Sequence, residues 1–266
     1  MLGAQASAPA CYQHEASWAP GQAGTPAVPV IARMKIALIG NGAMGRLVAS
    51  KAKKAGDEIA SIITSKEADA SGRELSSRLS GLDVVIDFSV GDAVQRNIEA
   101  SVRAGVPIVE GTTGWKSKEN EIRQSVKQFD GSLVYGANFS IGVNVFYRIA
   151  KQAAQLFSAV EGYAPFIEEA HHSRKKDAPS GTALRLRELM AEYFGDNIPT
   201  SSTRAGFIPG THCVGFDSEA DQILLTHTAR SREGFASGAL LAAHWIKDRK
   251  GVYEFGEVID EIIRHT

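Results

Sequence analysis

Apolar residues recur along this chain in two rhythms. Between Met34 and Asn138, short unbroken apolar runs alternate with stretches whose apolar positions return every three or four residues. Runs of the first kind, "MKIALIG", "EIASIIT", "DVVIDFS", "VPIVEG" and "SLVYGAN", predict strands, the first continuously apolar as in a strand buried on both faces of a parallel sheet. Stretches of the second kind, "AMGRLVASKAKKAG", "DAVQRNIEASVRAG" and "SKENEIRQSVKQF", predict helices, the first two stopped by Gly56 and Gly105. Such alternation argues for an α/β open sheet with helices on both faces and ligands along the strands' C-terminal edge.

Beyond Asn138 the rhythm changes. "IGVNVFYRIAKQAAQLF" and "GTALRLRELMAEYF" predict helices around a strand in "YAPFIEEAHH". "THCVGF" and "QILLTHTA" read as further strands without helical crossovers. A second, mixed α+β domain is expected there. The last stretch, "ASGALLAAHWIKDRKGVYEFGEVIDEIIR", reads as a return to helix that packs back on the first domain. The expected division is 34–138 plus 240–266 for the first domain and 139–239 for the second. Residues 1–33 are rich in Ala, Gly and Pro, lack periodicity, and carry only Glu15 and Arg33 as charges. They read as a disordered tail, or as an upstream start to a working protein that begins at Met34. They lack the basic start and apolar core of a secretory signal and the Arg-rich character of an organelle-targeting peptide.

Composition narrows the partners. The chain has 266 residues, 44% hydrophobic and 22% charged, with a formal net charge of −1. No global basic field recommends nucleic acid or an anionic membrane, and no apolar run reaches the length of a membrane span. Two cysteines, Cys11 and Cys213, make neither a disulfide framework nor a metal-ligand spacing, which points to a reduced, cytoplasmic setting.

Three loops carry candidate chemistry. "GNGAMG" sets Gly40, Gly42 and Gly45 in G-x-G-x-x-G spacing, with Asn41, Ala43 and Met44 between them, after a strand and at a helix start. In that context it reads as a Rossmann-type dinucleotide loop, its pyrophosphate meeting the free N–H groups of the helix N-terminus. After the second strand, an acidic residue would bind a ribose 2′-hydroxyl; here Thr64, Ser65 and Lys66 stand instead and can receive a 2′-phosphate, although Glu67 and Asp69 are near. NADPH or NADH is the expected cofactor. Gly111, Thr112 and Thr113 after the fourth strand, and Gly136, Ala137, Asn138 and Phe139 after the fifth, suit close contact with a nicotinamide ribose.

The third loop is "EEAHHSRKKDAPSGTAL". His171 and His172 end a strand, so their side chains are expected on opposite sides. Adjacent histidines without a further spaced ligand fit zinc poorly, and no metal is expected. Arg174, Lys175 and Lys176 concentrate positive charge, and Ser180 is a good N-cap, leaving first-turn N–H groups of Gly181 and Thr182 open to a carboxylate. An imidazole beside such a trap can move a proton near neutral pH. Dinucleotide site, carboxylate trap and proton donor together read as a reductase. A Rossmann dehydrogenase acting on a small amino acid or imine, and a dinucleotide sensor that kept the fold, are the competing readings.

In order, "GNGAMG", "VVIDFS", "EGTTGW", "ANFSIGVN", "EEAHHSRKKDAPSGTAL" and "THTARSREGFASGALLAAHW" resemble the 4-hydroxy-tetrahydrodipicolinate reductase (dihydrodipicolinate reductase) family from Met34 onward. The resemblance implies that His171 exchanges the proton with Lys175 as its catalytic partner. It implies that His172, Gly181 and Thr182 hold the substrate's carboxylates, while the three glycine-containing turns contact the coenzyme. It further implies reduction of a small dicarboxylate on the diaminopimelate route to lysine, and a homotetramer built through the second domain. Two departures bear on the coenzyme. Many members have a one-residue longer phosphate loop containing an Arg, and many carry an acidic residue and an Arg where this chain has Thr64 and Ser65.

Overall fold

The computed structural model describes residues 33–64 and 71–265. The readings made on residues 1–32, Ser65 and Lys66 therefore lie outside the described residues. From Arg33 onward the chain is one compact unit built on two sheets.

The five apolar runs form β1 (Lys35–Ile39), β2 (Glu58–Ile63), β3 (Val84–Asp87), β4 (Ile108–Glu110) and β5 (Ser132–Tyr135). All pair in parallel; β1, β3 and β4 are largely buried as unbroken apolar strands should be, whereas β2 lies at the sheet edge and is only partly buried. β1 lies between β2 and β3, so the connections leave it in opposite directions and open a crevice at its C-terminal end. One face is covered by α1 (Ala43–Ala55) and the other by α2 (Gly72–Leu79), α3 (Val94–Arg103) and α4 (Glu119–Gln128). α2 escaped the sequence reading because only Leu75 and Leu79 mark its buried side, although Ser71 and Glu74 form a capping box at its start.

The second sheet contains β6 (Ala164–His171), β7 (Thr200–Arg204), β8 (Thr211–Asp217) and β9 (Gln222–Thr228), in the order β7-β6-β8-β9. Only β6 and β7 run parallel. α5 (Ile141–Ser158) and α6 (Gly181–Phe194) cover one side, where Phe146, Ile167, Leu186, Met190, Val214 and Phe216 form its core.

The C-terminal stretch differs from the all-helical expectation. α7 (Glu233–Ile246) and α8 (Phe255–Arg264) flank a four-residue strand, β10 (Gly251–Glu254), which pairs in parallel with β5 and gives the first sheet its sixth strand. Ala236, Ala239, Ala242 and Ala243 of α7 pack with Phe255, Val258 and Ile259 of α8 in the same core as Ile36, Leu38 and Val109. Small residues on α7 let it approach closely: a Cβ on Gly238 would stand 1.8 Å from the Phe139 carbonyl oxygen.

Candidate active site

The dinucleotide loop sits where the crevice opens. Gly40 has φ +94°, and a Cβ there would meet the Phe88 carbonyl oxygen at 2.4 Å. A Cβ on Gly45 would stand 2.0 Å from the Gly40 carbonyl oxygen. These two glycines are required by the protein's own packing. Gly42 is not: its φ is −74°, and a Cβ would meet nothing within 4 Å. It is the N-cap of α1, where no side chain caps the first-turn N–H groups. A bare helix entrance with room above it fits a dinucleotide pyrophosphate. Arg46 turns back to donate to the Asn41 carbonyl, 2.7 Å away, and Met44 packs against the core.

The turns after β3 and β4 are stitched together beside this loop. Ser89 N–H donates to Asp87 and to the Thr112 hydroxyl, at 2.8 and 3.0 Å. Thr112 N–H donates to Glu110 at 2.7 Å, and Gly111 N–H to the Asp87 carbonyl. The Phe88 ring lies so close over Gly111 that a Cβ there would be 2.1 Å from it. Thr113 lies by Gly91, and Thr64 closes β2. After β5, Gly136 and the exposed Ala137 lead to Asn138. Phe139 is buried between Phe88 and Phe255, so its side chain packs in the core rather than facing the cleft.

Asn138 reaches the second half of the site. Its Nδ2 lies 3.5 Å from the Thr182 hydroxyl in the first turn of α6. Ser180 caps that helix by accepting from Ala183 N–H. The N–H groups of Gly181 and Thr182 have no protein acceptor among the described residues. A Cβ on Gly181 would meet nothing within 4 Å, and Tyr147 of α5 hydrogen-bonds Thr182. This bare first turn lies beside the nucleotide-side loop, where Asn138 meets Thr182.

His171 faces inward from the end of β6 and is bound through Nδ1 to Glu169, two residues earlier on the same strand face. His212 comes from β8, opposite Glu169 in the register, with its ring 5.0 Å from that of His171. Its Nε2 lies 3.0 Å from the Ser180 hydroxyl. Glu169 accepts from Arg204 at 2.7 Å and from Ser180 N–H at 3.2 Å. Burial alone would raise this carboxyl, but hydrogen bonds from Arg204 and Ser202 and attraction to His171 bring it down to about 2. Burial pushes His171 down, Glu169 opposes this, and Lys175 and Arg204 add to the lowering. Burial together with repulsion from His171 pushes His212 down to about 4. Glu169, His171 and His212 bring one donor atom each within 4.8 Å of one another. A guanidinium and an amide N–H share one oxygen of the carboxylate and His171 Nδ1 takes the other, so these groups form a hydrogen-bonded network.

Lys175 does not touch His171; its ammonium pairs with Asp177 at 2.8 Å. His172 is half-buried outside the cluster, its enclosed Nδ1 without a partner among the described residues. Glu169, Arg204 and His212 went unnoticed in the sequence because they converge only through strand register. The sole local signal was the i, i+2 spacing of Glu169 and His171.

A parallel nucleotide-binding sheet whose open edge meets a helix entrance for an anion and a buried imidazole defines a Rossmann-type oxidoreductase, for which a nicotinamide cofactor is implied. The chain belongs to the dihydrodipicolinate reductase family: the family's N-terminal model matches residues 34–139 and its C-terminal model residues 142–259. It is 36% identical over 244 residues to the 4-hydroxy-tetrahydrodipicolinate reductase of Christiangramia forsetii, covering 87% of this chain and 100% of that protein. The enzyme of the same name from Methanosarcina barkeri is 36% identical over 208 residues, or 72% of this chain and 78% of that one. Among solved structures, a dipicolinate-bound dihydrodipicolinate reductase from Paenisporosarcina sp. TG-14 has the same fold. Its TM-score is 0.68 at 20% identity, over 83% of this chain and 97% of that one. Among the described residues no helix is long and apolar enough to cross a membrane.

Proposed function

We propose that this protein reduces 4-hydroxy-tetrahydrodipicolinate to tetrahydrodipicolinate with loss of water, on the diaminopimelate route to lysine. One observation carries the reading. Asn138, on the nucleotide-side loop, lies 3.5 Å from Thr182 in the first turn of α6, which supports placing the two half-sites side by side. A nicotinamide coenzyme, when bound, supplies a hydride. The residues have the remaining tasks: holding a dicarboxylate, exchanging a proton and excluding water.

Gly42, Ala43 and Met44 present the N-terminus of α1 to the coenzyme's pyrophosphate. The turns at Gly111 to Thr113 and Gly136 to Asn138 border its nicotinamide end. Gly181 and Thr182 offer unpartnered N–H groups to one substrate carboxylate, and the half-buried His172 is assigned to the other on the family resemblance. His171 exchanges the proton that the reduction consumes, and Lys175 adds positive charge that both attracts the dianion and disfavours the imidazolium. Thr64, Ser65 and Lys66 favour acceptance of a 2′-phosphate, so NADPH is used at least as well as NADH. The enzyme works in the cytoplasm, as a homotetramer assembled through its second sheet.

The test is direct. Purified protein is mixed with enzymatically generated hydroxy-tetrahydrodipicolinate and either coenzyme, and oxidation of the coenzyme is followed. Rapid oxidation that depends on the substrate is expected with NADPH; none with either coenzyme overturns the assignment. In the same assay Lys66→Ala should raise the KM for NADPH roughly 5- to 50-fold, the loss of one charge-assisted contact, and leave NADH nearly unchanged. Equal effects on both would remove Lys66 from the 2′-phosphate site.

A further inference from the structure

The network behind His171 is more elaborate than a proton donor alone requires. Glu169 has a wholly buried side chain, on which Arg204, Ser180 N–H and His171 Nδ1 all converge. A buried carboxylate is costly unless it is paired and hydrogen-bonded, and here each partner comes from a different element. Arg204 ends β7, Ser180 opens α6, and His171 ends β6. The arrangement therefore joins the imidazole to the carboxylate entrance through a single side chain. His212 adds a second link, since it lies edge-on to His171 and bonds the Ser180 hydroxyl.

The opposite edge of the ring faces a glycine. A Cβ on Gly210 would stand 3.2 Å from both Cδ2 and Nε2 of His171, and Gly210 has φ +124°. Any other residue there would be strained and would crowd Nε2. One ring nitrogen is thus held by a carboxylate, and the other faces Gly210, where any side chain would crowd it.

Resting on the function proposed above, we propose that Glu169 is a positioning residue: it holds the His171 proton on Nδ1, leaves Nε2 as the atom that exchanges a proton with substrate, and ties that orientation through Ser180 to the helix entrance that grips the substrate. The electrostatics act the same way. Burial, Lys175 and Arg204 all disfavour the His171 imidazolium, and Glu169 alone among the named neighbours favours it. His212, itself held down to about 4, stays neutral beside it near pH 7. Glu169 is therefore the one named neighbour that raises the share of protonated His171, and its loss should lower that share further.

Nitrogen-15 NMR of histidine-labelled full-length protein tests this without any catalysis, with His171 assigned by the signals missing from His171→Gln. In the wild type, neutral His171 should carry its proton on Nδ1. In Glu169→Gln its titration midpoint should fall and the Nε2-protonated tautomer should gain population, while Glu169→Asp restores part of both. In the reductase assay, Glu169→Gln should lose roughly 10- to 10²-fold in kcat with little change in the KM for substrate. The alkaline fall of its kcat/KM profile should begin at lower pH. A wild-type ring protonated on Nε2, or an unmoved midpoint in a folded Glu169→Gln, overturns the proposal. Should Glu169→Gln fail to fold, the wild-type tautomer still decides the matter. A wild type with the expected tautomer but no reductase activity would instead sink the functional reading and leave the positioning of His171 standing.

Discussion

Three glycines in one loop do different work, and substitution separates them. Gly45 is bound by packing, since a methyl group would press into the Gly40 carbonyl at 2.0 Å. Gly45→Ala should therefore cost about 1–3 kcal/mol of stability, the usual penalty for overpacking, read as a lower unfolding midpoint in urea. Gly42 has open space and an ordinary φ. Gly42→Ala should change stability by less than about 0.5 kcal/mol and yet weaken coenzyme binding, because the methyl group would occupy the space above the α1 entrance. Calorimetric titration with NADPH checks the second half; unchanged affinity would mean that the pyrophosphate sits elsewhere. The residues proposed for proton exchange divide in a similar way. His171→Gln should lower kcat by roughly 10²-fold or more and hardly move the KM for substrate, whereas Lys175→Ala should damage both. Wild-type kinetics in either variant would remove that residue from the chemistry. These positions could be read from the chain because their chemistry is local: glycine spacing, a basic run and an N-cap stand in contiguous sequence. Glu169 could not, because its value depends on Arg204 and His212, which arrive from other strands.

Among the elements, the ends of β3 and β4 show what local patterning conceals. "VVID" and "IVE" read as apolar strands, yet each ends in a wholly buried acid, Asp87 and Glu110. Burial raises Asp87 despite hydrogen bonds from Asn97 and Ser89. Burial and the neighbouring Asp87 charge raise Glu110 well above 4.5. The two are register partners across β3 and β4, and they accept from Ser89 N–H and Thr112 N–H in the turns that follow. The sign of the pH effect follows. A carboxyl whose folded value lies above its unfolded value adds stability that is complete below about 4.5 and is lost as pH rises through the folded value. Glu110→Gln keeps an acceptor for Thr112 N–H and removes the titrating group. Its melting temperature should match the wild type near pH 5 and exceed it increasingly toward about pH 9. A constant difference across that range would show that Glu110 stays ionised. Strand boundaries were legible here because unbroken apolar runs admit few alternatives. The acid pair was not, since a strand-end Asp or Glu ordinarily reads as a solvated turn.

At the scale of the whole molecule, the last twenty residues hold two modules together. β10 extends the first sheet beyond β5, and α8 buries Phe255, Val258 and Ile259 in that sheet's core. From the same helix, Asp260 pairs with Arg148 of α5 at 2.5 Å, and Arg148 also donates to the Gly256 carbonyl. α5 covers the second sheet, so α8 bridges both. The alternation of apolar positions hinted at a return to the first module. The strand within it was hidden, because "GVYE" is four residues long and only half-buried along its length. Each of the three α8 side chains contributes about 1.5–3 kcal/mol by burial, against a total stability of roughly 5–15 kcal/mol for a domain of ordinary size. A chain ending at Lys247 retains the dinucleotide loop and the His171 cluster intact in sequence, yet should not unfold cooperatively and should bind NADPH at least roughly tenfold more weakly. Arg148→Ala in the full chain makes the finer test. It leaves the α8 core contacts in place and removes the bridge, so coenzyme affinity should hold while the KM for substrate rises as the α6 entrance loses its fixed distance from Asn138. A truncated chain that melts in one sharp transition at the wild-type temperature would show that the first sheet closes on its own five strands, and that β10 and α8 are additions to a fold already complete.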